Sequence, residues 1–116
     1  MAKGKKKTSA ARTKASAQGA LPSEKVLAKL TVEDFDRFWE VFRSRGAEQR
    51  AAFGSRGSTV FRNRDKENEV WIVFDWEPAA LQDFLKDGTS QEIMRSAGVL
   101  GPPESWLVEE VGQHPA

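Results

Sequence analysis

The sequence predicts an α+β domain in which helices cover one face of a four-stranded antiparallel sheet. Three observations predict it. Phe35, Phe38, Trp39 and Phe42 recur at the spacing of one helix face. Val70 to Trp76 is an unbroken run of β-branched and aromatic residues around a single Asp75. Turn residues separate the remaining apolar runs into the order β-α-β-β-α-β. At 116 residues, 39% of them hydrophobic, the chain supports one small core and not two.

Val26 to Leu30 reads as a short first strand after Pro22. Thr31 is expected to cap the first helix, with Asp34 three residues on and Leu30 and Phe35 as a hydrophobic staple. Asp36, Arg37, Glu40 and Arg43 fall on that helix's wet sides. Gly46 breaks it, and Ala47 to Phe53 form a second helical piece before Gly54. Gly57 opens a strand through Arg62, Asn63 to Asn68 form a polar turn, and Glu69 to Trp76 return as the second arm of a hairpin. Pro78 stands in the first turn of the next helix, where its missing N–H costs nothing, and Leu81, Phe84 and Leu85 form the apolar face. Ser90 is expected to cap a short helix carrying Ile93 and Met94 and ending at Gly98. Gly101-Pro102-Pro103 reads as a rigid connector and Trp106 to Val111 as the last strand. Four antiparallel strands with helices on one side make this a ferredoxin-like fold.

Composition excludes several chemistries. With no cysteine there is no disulfide, thiolate metal site or cysteine nucleophile. The one histidine, His114, sits at the end of the chain, which argues against a histidine metal centre, haem or triad. No apolar run approaches the ~18 residues of a membrane span, and no secretory signal is visible, so a cytoplasmic protein is expected. The overall charge of +1 hides an asymmetry. Residues 1–20 hold six Lys/Arg and no acid, leaving 12 basic against 17 acidic residues in 21–116. Residues 1–20 are expected to be a disordered basic tail and 21–116 the folded domain. Lys3, Lys5, Lys6 and Lys7 either contact nucleic acid by releasing counterions or simply solubilise the chain, and no aromatic is interleaved for base stacking.

One strand carries the argument toward function. Val70, Ile72, Phe74 and Trp76 fall on one face of it, and Trp71 and Val73 on the other. Helices of one chain cover only one face, so the second is expected to pack against a second copy, with Leu27, Leu107 and Val111 adding to it. Arg43, Arg45, Arg50 and Arg56 cluster around Gly46; they either grip an anionic ligand or form a solvated helix face. Glu48 and Asp75 are the carboxylates to consider as bases, against the alternative of ion pairs with Arg45, Arg50 or Arg56. Trp39, Phe42, Phe53, Phe61, Phe74 and Trp76 either fill the core or, with Met94, line a cavity for a planar aromatic ligand.

The order of helix, glycine-bounded hairpin, Val-Trp-Ile-Val-Phe-Asp-Trp-Glu strand, second helix and Gly-Pro-Pro over residues 24–113 resembles the dimeric α/β-barrel superfamily. Within it the chain is most similar to antibiotic biosynthesis monooxygenases and small cyclase-like proteins. The resemblance implies a homodimer formed through one sheet face and a small-molecule pocket between the other face and the helices, with Ile72, Phe74 and Trp76 on the pocket side. It implies no cofactor and no metal. Trp76 matches the tryptophan that quinone-forming members use at the end of this strand, and Arg95 matches their arginine before the Gly-Pro-Pro segment. Ile72 replaces their strand asparagine, Gln82 their helix tyrosine, and their hairpin histidine falls near Arg62. Three functions are thereby expected as alternatives. They are a cyclase or cofactor-independent monooxygenase acting on an aromatic or polyketide-like substrate through Trp76, Arg95, Asp75 and Glu48; a non-catalytic ligand-binding or structural dimer; and a nucleic-acid-associated protein acting through its tail.

Overall fold

The computed structural model describes residues 24–116, so the expectations for the basic tail lie outside the described residues. Glu24–Glu109 form one compact unit; residues 110–116 carry no helix or strand and are exposed. The unit runs β1 (Glu24–Val32), α1 (Phe35–Phe42), α2 (Arg45–Ala52), β2 (Gly57–Arg62), β3 (Glu69–Asp75), α3 (Pro78–Lys86), α4 (Gly88–Ser96) and β4 (Val99–Glu109). The four strands form one antiparallel sheet in the order β2-β3-β1-β4. This is the expected α+β, ferredoxin-like arrangement, with the second half of each helical stretch present as a separate helix.

The core follows from the two-residue period of β3. Val70, Ile72, Phe74 and Trp76 are buried with Val26 and Ala28 of β1, and Phe38 of α1 and Leu81 and Phe84 of α3 close over them. Paired residues share a face, so the register fixes the second face too. Thr59, Val73, Leu27 and Trp106 make one row across it, and Phe61, Trp71, Lys29 and Glu104 make the next. Trp71 and Trp106 stack across these rows with ring centroids 6.1 Å apart. Leu107 pairs with Val26 and so lies on the helix side, contrary to the expectation that it joins the second face; Trp106 and Val108 take that position.

Local chemistry shifts several boundaries. Thr31 and Val32 extend β1, and the cap of α1 is Asp34, whose carboxylate accepts the N–H of Asp36 at 3.1 Å. Moving the cap three residues on dissolves the expected Leu30–Phe35 staple, which depends on the residues flanking the cap. Asp87, and not Ser90, caps α4 by accepting the Ser90 N–H at 3.0 Å. The Gly-Pro-Pro segment lies inside β4. Lys29 pairs with Glu104 and Thr31 with Leu100, so Gly101, Pro102 and Pro103 oppose Leu30 alone. A bulge of this kind tolerates two prolines because β4 is an edge strand, and Gly101 supplies the φ of +73° that other residues rarely adopt.

On the second face Glu69 anchors a polar corner. Its carboxylate accepts from Asn63 Nδ2 at 2.7 Å and from Trp71 Nε1 at 3.1 Å, with Lys29 Nζ at 3.6 Å. The hydrogen bonds from Asn63 and Trp71, with Lys29 and Lys66 nearby, hold its pKa below the ordinary carboxylate value and outweigh desolvation, which opposes them. A depressed folded-state pKa contributes stability that is present above the unfolded value of about 4.3 and is lost as pH falls through the folded one. Denaturant melts between neutral pH and about pH 3 are expected to show a shallower acid loss for Glu69→Gln than for the wild type. Parallel acid profiles would remove Glu69 from the acid response.

Candidate functional site: an apolar cavity between sheet and helices

On the helix side of the sheet the row Ile72, Ala28 and Ser105 drops from a large side chain on β3 to small ones on β1 and β4, with Ser105 exposed at the edge. Helices resting on Ile72 and Phe74 cannot descend onto the small side chains beside them, and a void is left. The result is a partly enclosed cavity with about 70 Å³ of room for the centres of water-sized atoms. One water needs roughly 10–15 Å³ on this measure, so the space takes several ring atoms. Its floor includes Ala28, Ile72 and Phe74, and its roof includes Phe42, Leu85 and Met94. The β4 bulge brings Pro103 to the wall.

Polar bonds set the height of the roof on one side. Gln49 of α2 donates through Nε2 to Asp87 Oδ2 and to Ser90 Oγ, each at 3.0 Å. Ser90 is fully buried, and these bonds satisfy it. Arg45, at the start of α2, donates to Ser96 Oγ at the end of α4. The two helices are therefore tied at two points.

The lining contains no carboxylate, histidine or tyrosine, and Arg50 is its only charged residue. The guanidinium carbon of Arg50 lies over Phe42, 3.6 Å from the ring centroid, and burial lowers the pKa to about 10. That value still leaves it protonated at neutral pH.

The other residues singled out from the sequence divide cleanly. Phe42, Ile72, Phe74 and Met94 line the cavity; Trp39 and Phe53 do not. Trp39 stacks between Phe35 and Phe42 on the outer side of α1, and Phe53 packs edge-on against Phe84. Trp76 is wholly buried beneath the helices, donates Nε1–H to the Phe53 carbonyl at 2.9 Å, and meets Phe74 and Phe84 edge to face. Asp75 lies on the second sheet face, paired with Arg56 at 3.0 Å and Lys25 at 3.7 Å. Glu48 and Arg95 are exposed and outside the lining. The arginine cluster read from the sequence disperses: Arg43 pairs with Glu40, Arg45 with Ser96 and Arg56 with Asp75, while Arg50 alone reaches the cavity. Among the described residues, no group of three or more acidic, histidine or cysteine side chains is placed to hold a metal ion, and no helix is long and apolar enough to cross a membrane.

Solved structures share this fold. SnoaB, a cofactor-independent oxygenase from Streptomyces nogalater, matches with a TM-score of 0.57 at 21% identity, over 82% of this chain and 99% of that one. A monooxygenase from the gene ActVA-Orf6 of Streptomyces coelicolor, in complex with nanaomycin D, matches with a TM-score of 0.56 at 15% identity, over 82% and 93%. An antibiotic biosynthesis monooxygenase matches with a TM-score of 0.57 at 15% identity, over 77% and 99%. The resemblance to antibiotic biosynthesis monooxygenases read from the sequence is thus present in the fold. No family model matches the chain, and no curated protein matches it.

Trp76 occupies the position where the resemblance places a reacting tryptophan, and it is also the largest fully buried side chain. Trp76→Ala is expected to lower unfolding free energy by about 3–5 kcal/mol in chemical denaturation, with Trp76→Phe costing less. A loss under about 1 kcal/mol for the alanine variant would show that the indole carries little of the packing.

Proposed function

We propose that the protein is a small-molecule enzyme of the cofactor-independent monooxygenase type, acting on an electron-rich aromatic substrate held in the cavity between the helices and the sheet. The observation that carries this reading is the cavity itself: apolar and lined by aromatic rings, in a fold whose solved examples include such oxygenases. In this chemistry the substrate supplies the electrons. A phenol with a free para C–H position reacts with O2 to give the para-quinone and water; one oxygen atom enters the ring, the other leaves in the water, and the four electrons O2 accepts come from the phenol. The protein then has to orient the ring, exclude bulk water and favour the ionised phenol. The cavity's size suits one ring with substituents or two fused rings; a larger polyketide requires Met94 and its neighbours to give way.

A homodimer belongs to the same proposal. Leu27, Val73, Trp71 and Trp106 form an apolar stripe on the uncovered sheet face, with Lys29, Glu69, Lys25 and Asp75 beside it. Trp106 is 44% and Phe61 53% exposed in the single chain. A two-fold sheet-on-sheet contact buries both.

The lack of any acid or base in the lining favours a second reading, a ligand-binding dimer without turnover. Oxygen uptake separates the two. With substituted naphthols as substrates, the wild type is expected to consume oxygen and form quinone. Ala28→Leu, which grows a side chain into the cavity floor, is expected to lose most of that rate, about tenfold or more, while circular dichroism stays native. Absent uptake with intact naphthol binding would leave the non-catalytic reading. Sedimentation is expected to give twice the 12.9 kDa chain mass, and Trp71→Glu a single chain. A monomeric wild type would remove the dimer.

A further inference from the structure

We propose that Arg50 selects the ligand of this cavity: the site takes a small aromatic carboxylate, with the ring on the apolar floor and the carboxylate paired with the Arg50 guanidinium. The inference rests on the cavity being the ligand site, and it adds the charge that the ligand must carry.

Four observations support it. Arg50 is the only charged residue lining an otherwise apolar cavity. Among the described residues no carboxylate pairs with it, whereas Arg37, Arg43 and Arg56 each hold one. Its environment withdraws water from the charge without returning an anion, which is why its pKa falls to about 10. Its one strong contact is the face of Phe42, which leaves the guanidinium edge and its N–H donors uncommitted. A half-buried cation in that state gains more from an incoming carboxylate than an exposed one would, because much of its desolvation has already been paid.

The backbone is shaped to hold Arg50 there. Gly46 lies one helical turn before it and is buried in the cavity wall. A Cβ at residue 46 would stand 3.1 Å from Arg50 Nη1 and 3.0 Å from the Val41 carbonyl oxygen. Glycine inside a helix costs roughly 1 kcal/mol against alanine. At this position a side chain would crowd the Val41 carbonyl and, a little less, the Arg50 guanidinium. The bonds from Gln49 to Asp87 and Ser90 fix the neighbouring turn, so α2 presents Arg50 at a set depth.

The test uses naphthoate and its uncharged isostere naphthamide. Affinities for the full chain are measured by isothermal titration near pH 7, and the methyl chemical shifts of Ile93 and Met94, both in the lining, report occupancy of the cavity. The wild type is expected to bind naphthoate about tenfold more tightly than naphthamide. Arg50→Met, which keeps the length of the apolar stem, is expected to bring the two within about twofold while naphthamide affinity and the thermal melt stay unchanged. Arg50→Lys is expected to keep part of the preference, as a point charge without the planar fork. Equal affinities in the wild type, or a preference that survives Arg50→Met, would overturn the assignment. If neither probe moves the Ile93 and Met94 methyls, the cavity is not an aromatic-ligand site and the assignment falls with it. If the naphthoate preference holds while naphthols consume no oxygen, the oxygenase reading fails and the role of Arg50 stands.

Discussion

Strand β3 is apolar on both faces, and the rest of the molecule is arranged around that fact. A strand turns successive side chains to opposite sides, so Val70, Ile72, Phe74 and Trp76 must be covered by one layer and Trp71 and Val73 by another. Four helices from the same chain supply the first layer. Phe84 of α3 meets Trp76 edge to face, which suits the charge distribution of the rings, and Trp76 finds the hydrogen bond it needs on the Phe53 carbonyl. The second layer is not supplied by this chain among the described residues, and Trp71 shelters only partly by stacking on Trp106.

The cavity is a by-product of the same layering. Large side chains on β3 set the distance between sheet and helices, and the small ones on β1 and β4 do not reach across it. Such a void costs packing energy, since its walls lose contact partners. It is held open here by stiff features: the Gly-Pro-Pro bulge on the edge strand and the polar clamp from Gln49 to Asp87 and Ser90. A lining of rings and aliphatic chains favours a flat apolar ligand, and a lone guanidinium in the wall favours one with a negative end. Neither preference requires a reacting side chain, which is consistent with chemistry carried by the substrate and oxygen.

The path from residues to site shows how local signals and packing divide the work. The aromatic spacing of α1, the hairpin and the Pro78 start of α3 were all legible, because each depends on neighbours in sequence. Thr31 and Asp34 both have capping chemistry, and pairing of β1 with β4 as far as Val32 decides for Asp34. Proline cannot donate to a ladder, which locally favours a connector; edge position and a bulge make the Gly-Pro-Pro segment strand. The arginines near Gly46 formed a cluster only along the chain. In the fold Arg43, Arg45 and Arg56 take separate partners in Glu40, Ser96 and Asp75, and Arg50 alone turns to the cavity.

By itself, the sequence determined the fold class, the apolar double face of β3 and the absence of cysteine chemistry, since periodicity and composition are properties of the chain alone. Only the tertiary structure decided that Trp76 is a packed core residue, that Asp75 faces away from the cavity and that Arg50 faces it. Those facts depend on strand register and on where α2 comes to rest, and both are set by contacts between residues far apart in the chain. No spacing encodes such contacts, so the location of a void, and the one charge beside it, had to wait for the folded molecule.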